Sequence, residues 1–253
     1  MFRKLSICLS IIVLAAVCIM IIGCGGGESE AGTLQFYANG EDFVRQGFVS
    51  KDGWSIDFDH VYITLADINA YQTDPPYEPH SGDYIDGQVT VSLDKTYTVD
   101  LAEGGEDALP IAVDEVPDAT AGHYNAISWK MVKAMSGPAA GHSLVMTGTA
   151  EKEGRVVEFT INIEEECGYS CGEYVGDERK GMVADGGTAD LEMTFHFDHI
   201  FGDADTPLDD DLNLGAIGFG PFADTEDGGQ VDINMTELHL GHVGEGHCHC
   251  LCE

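Results

Sequence analysis

The chain has 253 residues, with 45 acidic side chains against 11 basic ones and a formal charge of −34. So few Lys and Arg exclude a phosphate-gripping footprint, hence a nucleic-acid partner, and they exclude docking on an anionic membrane surface for the same reason. An apolar fraction of 43 % suffices for one good core and argues against disorder along the whole length.

Arg3 and Lys4 precede an uncharged apolar run from Leu5 to Ile22, the pattern of a secretory signal over residues 1–23. Ile21-Ile22-Gly23-Cys24 resembles a bacterial lipobox, which implies cleavage before Cys24 and lipidation of that residue. The alternative is a plain transmembrane anchor, since the run just reaches spanning length. Gly25-Gly26-Gly27 and the polar residues after them make residues 24–31 a lipidated Cys on a flexible tether. Gly rather than Asp after Cys24 implies the outer membrane of a bacterial cell envelope. Without residues 1–23 the chain keeps 45 acidic and 9 basic residues, a net of −36. Such self-repulsion needs screening by salt or divalent cations.

Beyond the tether, period-two alternation is more evident than helical spacing. Strands are expected at Leu34–Ala38, Ile56–Ile68, Gln88–Leu93, Tyr97–Leu101, Tyr124–Met131, Leu144–Thr149, Val156–Ile163 and Leu191–Phe197. In Ile56–Ile68 the phase slips near Asp59-His60, which predicts a bulge or two strands. Thr73-Asp74-Pro75-Pro76, Gly104-Gly105 and Asp185-Gly186-Gly187 punctuate the strands as turns. The pattern predicts an all-β fold, an antiparallel β-sandwich over residues 32–200, followed by an irregular acidic and His/Cys-rich region over residues 201–253. Short helical turns are expected after Thr206-Pro207 and around Thr236-Glu237-Leu238.

The densest chemistry lies at the C-terminus, where His239, His242, His247, Cys248, His249, Cys250 and Cys252 fall within fourteen residues. Imidazole and thiolate are the ligands that Zn and Cu prefer, so a transition-metal site is expected there. If residues 247–252 are extended, Cys248, Cys250 and Cys252 project to one side. The competing use is disulfide bonding, since an exported protein meets an oxidising compartment. Five cysteines follow Cys24 (Cys167, Cys171, Cys248, Cys250 and Cys252), so at least one lacks an intramolecular partner. Cys167 and Cys171 pair with each other or staple the tail to the loop after the Phe159 strand.

His196, Asp198 and His199 form a second candidate ligand group, with His60 and His142 as possible additions. His196 falls opposite the apolar positions of its strand and so faces solvent or a neighbouring segment. Asp203, Asp205, Asp209, Asp210 and Asp211 offer oxygen ligands for Ca²⁺, and Asp224–Val231 resembles half of an EF-hand loop. Gly168-Tyr169-Ser170-Cys171-Gly172 satisfies G-x-S-x-G, but a nucleophile elbow needs a helix after it, and Gly172-Glu173-Tyr174 does not start one. The sequence has no C-x-x-C-H, phosphate loop or dinucleotide turn. No enzymatic activity is expected.

Ser55–Ile68, then Thr98-Val99-Asp100-Leu101, then Ala121-Gly122-His123-Tyr124-Asn125-Ala126-Ile127 resemble bacterial β-sandwich lipoproteins of unassigned role. The same order is similar to the methanobactin-associated periplasmic copper-binding protein family, over residues 50–131. That family's Asn-His segment after the G-x-Y strand is missing, so no ligand position carries over. The resemblance implies a sandwich in the cell envelope. The expected function is a lipid-anchored protein binding Zn or Cu through the C-terminal cluster, for storage, delivery or sensing. The alternative is a structural or interaction lipoprotein whose cysteines are disulfides, with a protein partner that the sequence does not name.

Overall fold

Alternating apolar residues form strands here because one face of each is buried while the other meets water. The computed structural model describes residues 30–82, 84–172, 180–225, 231, 233–243 and 246–253. The signal, Cys24 and most of the tether lie outside them, as do residues 226–230 of the EF-hand-like loop. No helix among the described residues is long and apolar enough to cross a membrane.

The strands are β1 (Ala31–Asn39), β2 (Phe48–Val49), β3 (Ser55–Gln72), β4 (Val89–Leu93), β5 (Tyr97–Asp100), β6 (Ile111–Thr120), β7 (Gly122–His123) and β8 (Ala126–Met131). They continue with β9 (Leu144–Lys152), β10 (Arg155–Ile163), β11 (Cys167–Gly172), β12 (Met182–Val183), β13 (Thr188–Phe195), β14 (Gly241–Val243) and β15 (Gly246–Cys252). Among the described residues, short α-helices accompany them, α1 (Glu41–Gln46), α2 (Asp198–Phe201), α3 (Asp211–Gly215), α4 (Gly220–Ala223) and α5 (Met235–Leu238), with one 3-10 turn at Pro79–Ser81.

The main sheet runs β10-β9-β3-β8-β11-β15-β14-β13-β1-β6, with β2, β4 and β5 also on β3. Its pairs are antiparallel except β1 with β13, and it does not close into a barrel. The two halves of this path face each other as the layers of a sandwich. Trp129 of β8 meets Phe195 of β13 edge-on at 6.0 Å, and Tyr169 of β11 meets the same ring at 6.4 Å. At the open edge, the Tyr97 hydroxyl of β5 donates to Asp114 of β6 at 2.6 Å, and Lys95 reaches the same carboxylate at 3.2 Å.

The phase slip near Asp59-His60 is a bulge, with the β3–β9 register shifting between Phe58 and His60. Gly148 of β9 lies against it, and a Cβ there would run into the Asp57 carbonyl oxygen. The expected faces hold: Phe159, Ile161 and Ile163 of β10 and Leu191, Met193 and Phe195 of β13 are buried. β6 carries Pro117, which masks it as a strand in the sequence; as the last strand of the order it tolerates the missing N–H.

The boundary expected at residue 200 is corrected. β14 and β15 are the middle of the sheet, joining its two halves, and Phe201, Phe219, Phe222 and Met235 are fully buried in the common core. Burying the aromatics among these against Phe58 and Phe159 welds α2 and α4 to the sandwich. Asp52 ties the same region down: its carboxylate accepts from Phe219 N at 3.0 Å and Gly220 N at 2.8 Å.

Candidate metal centre

The C-terminal strand does alternate, with Cys248 and Cys250 buried, but two of its three sulfurs are tied up in disulfides. β15 pairs with β11 so that Cys252 faces Cys167, Cys250 faces Tyr169 and Cys248 faces Cys171. The outer two positions are disulfides, Cys167–Cys252 and Cys171–Cys248, with Cα atoms 4.0 and 4.3 Å apart. That spacing is the close approach of a non-hydrogen-bonded antiparallel pair, where cross-strand side chains meet. This corrects one expectation, since Cys248 and Cys252 have no thiolate to give an ion while the bridges stand; of the two pairings open to Cys167 and Cys171, the staple to the tail is the one formed. Cys250 remains a buried thiol, and burial pushes its pKa up to about 11.

The imidazoles disperse as well. His239 is exposed just after α5, and His249 lies on the outer face of the sheet opposite Ser170. His247 pairs across the hairpin with His242, its side chain being outside the described part. His60 goes to Asp100 at 2.6 Å, on a different strand pair from the histidines near β13.

What comes together is His196, Asp198, His199 and His242, with Glu41 as a member the sequence did not suggest. The parallel pairing of β1 and β13 brings the C-terminal ends of both strands to one edge, so Glu41 past β1 and His196 past β13 converge. His242 pairs one strand over, opposite Thr194, and the His196 N–H donates to Leu240 O at 2.8 Å. Glu41 occupies the left-handed region, φ 58°, with its N–H donating to Asn39 Oδ1 at 2.9 Å. A non-glycine residue held there by its neighbours marks a position where the backbone is constrained.

The geometry suits a cation. His196 Nε2 and His242 Nε2 are 3.2 Å apart. Two imidazole nitrogens bound at about 2.0–2.1 Å to one tetrahedral ion sit about 3.3 Å apart. The rings stack with centroids at 3.8 Å and a tilt of 23°. His196 Nδ1 meets Glu41 Oε2 at 2.8 Å, and His199 Nδ1 meets Leu238 O at 2.6 Å. A carboxylate or carbonyl on Nδ1 fixes the tautomer and leaves Nε2 as the donor, which is how ligating histidines are oriented. Donor atoms of Glu41, His196 and His242 lie within 4.8 Å of one another, as do those of His196, Asp198 and His199. A cleft of about 160 Å³ reaches His199 between Asp211, Glu237 and His239.

The carboxylates are driven apart. Burial raises Asp198, and the His199 and His196 imidazoles only partly oppose it, so its pKa stays high. Burial also acts to raise Glu41, but the hydrogen bond to His196 and the fields of the three imidazoles outweigh it and the pKa falls. Glu41 is thus the lasting negative charge beside the stacked rings.

The other expected sites dissolve into structure. Asp203 accepts from Asp205 N at 3.1 Å and Thr206 Oγ1 at 3.0 Å, and Asp210 caps α3 through Leu212 N. Among the described residues these aspartates form no converging cluster for Ca²⁺. Ser170 sits mid-strand in β11, between β8 and β15, 3.1 Å from the Tyr77 hydroxyl. Comparison with protein-family models, curated proteins and solved structures finds no match to this chain.

Proposed function

We propose that this is a lipid-anchored cell-envelope protein that holds one transition-metal ion, Zn²⁺ or Cu²⁺, among His196, His242, His199 and Asp198, with Glu41 orienting His196. The site serves storage, delivery or sensing, and the tether from Cys24 keeps it at the membrane surface. The observation that carries this reading is the 3.2 Å separation of the His196 and His242 Nε2 atoms, with a carboxylate behind one ring. The acidic surface adds a long-range attraction for cations. Equilibrium dialysis against Zn²⁺ and Cu²⁺ tests it. One ion per chain is expected, lost in His196→Ala and His242→Ala and retained in Cys250→Ser. Glu41→Gln is expected to weaken binding about 10–100-fold. Unchanged stoichiometry in both His variants refutes the site.

A second reading, a structural or interaction lipoprotein, is favoured by the two disulfides of the C-terminal strand. Elemental analysis of protein purified without chelator or affinity metal separates the two: metal-free native protein supports the second.

A further inference from the structure

The two disulfides differ in their surroundings. Cys171 and Cys248 are 0 % and 1 % exposed, sealed in the core. Cys252 is half-buried, and Cys167 lines a cleft of about 380 Å³ that opens between Lys130, Glu166 and Glu253. The fifth thiol stands beside this outer pair. Cys250 and Cys252 are two residues apart on one strand and so share a face, with Sγ atoms 3.5 Å apart. The sulfurs of Cys167, Cys250 and Cys252 all lie within 4.8 Å of one another. Tyr169 stands across the strand pair from Cys250, both buried.

We propose that Cys167, Cys250 and Cys252 form a redox-gated Cu(I) site, closed while the Cys167–Cys252 disulfide stands and opened when an external dithiol reduces it. The dithiol passes two electrons and two protons to the disulfide and becomes a disulfide itself. Cys167 and Cys252 are then thiols next to Cys250. Cu(I) enters as the three thiols release three protons, and no further oxidant or reductant is consumed. Thiolate sulfur selects Cu(I) among the biological cations. Three sulfurs, with no fourth ligand grouped with them among the described residues, suit Cu(I) better than Zn²⁺, which takes four. The sealed Cys171–Cys248 disulfide keeps β11 and β15 in register while the outer pair opens. This site is separate from the imidazole cluster and does not depend on it.

The test compares oxidised and mildly reduced full protein. Limited dithiothreitol is applied and removed, and the Cys states are read by differential alkylation and peptide mass spectrometry. The Cys167–Cys252 disulfide is expected to open while Cys171–Cys248 stays closed. In competition with a Cu(I) chelator, the reduced protein is expected to take up one more equivalent of Cu(I) than the oxidised protein, with sulfur neighbours alone in X-ray absorption. Cys250→Ser keeps both disulfides. Since losing an outer-shell partner already costs about 10–100-fold, losing this ligand is expected to cost about 100-fold or more. His196→Ala is expected to leave the extra equivalent in place, so failure of the imidazole site and failure of this one are told apart. No additional Cu(I) in the reduced protein, undiminished binding in Cys250→Ser, or simultaneous opening of both disulfides overturns the proposal.

Discussion

Cys250 shows how placement decides the chemistry of a side chain. A thiol in water titrates at about 8.5, but burial holds this one at about 11, so at pH 8 about one molecule in a thousand carries a thiolate. Iodoacetamide at pH 8 is therefore expected to leave Cys250 unmodified in the folded oxidised protein and to label it once the chain is unfolded; rapid native labelling would contradict its burial. Asp52 makes the same point for a carboxylate. Burial tends to raise its pKa, but hydrogen bonds from Ser50 at 2.6 Å and from the Phe219 and Gly220 N–H groups lower it. Asp52→Ala leaves those two N–H groups without their acceptor and is expected to cost about 2–4 kcal/mol in denaturant unfolding. A loss below about 0.5 kcal/mol would show that solvent replaces the carboxylate.

At the level of elements, β15 is both the joint of the sandwich and the strand that carries the disulfides. Cutting the chain at residue 239 to remove the metal-rich tail would remove β14, β15 and both cross-links, so point substitutions are the informative probe of either site. The bridges are nested, spanning 85 and 77 residues. With the inner one closed, opening the outer releases only the few residues between them and costs about 2–3 kcal/mol in chain entropy; opening the inner as well costs about 4–5 more. Calorimetry is expected to show a melting temperature lower by about 5–10 °C with the outer disulfide alone reduced, and a much larger drop with both reduced. Equal drops would mean that the two bridges constrain the chain independently. Gly148, pressed against the β3 bulge, is a further element-level control: Gly148→Ala forces strand separation at that point and is expected to destabilise the fold.

For the molecule as a whole, a formal charge of −34 makes self-repulsion the term that solution conditions tune most easily. Raising NaCl at pH 7 is expected to raise the melting temperature, most steeply below about 0.15 M, where the Debye length still exceeds about 8 Å. Acid acts in two stages. Between pH 7 and about 5, partial protonation of exposed carboxylates relieves repulsion. Lower still, groups with depressed folded-state pKa values take over. The Tyr97 hydrogen bond, with Glu115 N–H and Lys95, holds Asp114 at about 2, so the stability it adds is full above the ordinary Asp value and is lost as pH falls toward 2. Asp52 and Glu41 have the same sign, while Asp198, raised by burial, has the opposite one. A stability maximum between pH 4 and 6 at low salt is expected in thermal melts, moving toward neutrality as salt is added; a maximum above pH 7 at low salt would contradict it.

The residues alone determined what depends on near neighbours in the chain: alternation made strands of Val156–Ile163 and Leu191–Phe195, two residues short of the expected end at Phe197, the broken phase at Asp59-His60 made a bulge, and five cysteines after Cys24 guaranteed an odd thiol. They also set His196 opposite the apolar positions Leu191, Met193 and Phe195, although the strand itself stops one residue before it. Tertiary structure decided everything that depends on which strands lie side by side. Antiparallel registry of β15 on β11 turned expected sulfur ligands into cross-links, and the parallel β1–β13 pair carried Glu41 to His196 across 155 residues of chain. Periodicity fixes the face a side chain occupies, but pairing partners are set by the burial of the whole sheet, a long-range energy that no local pattern encodes.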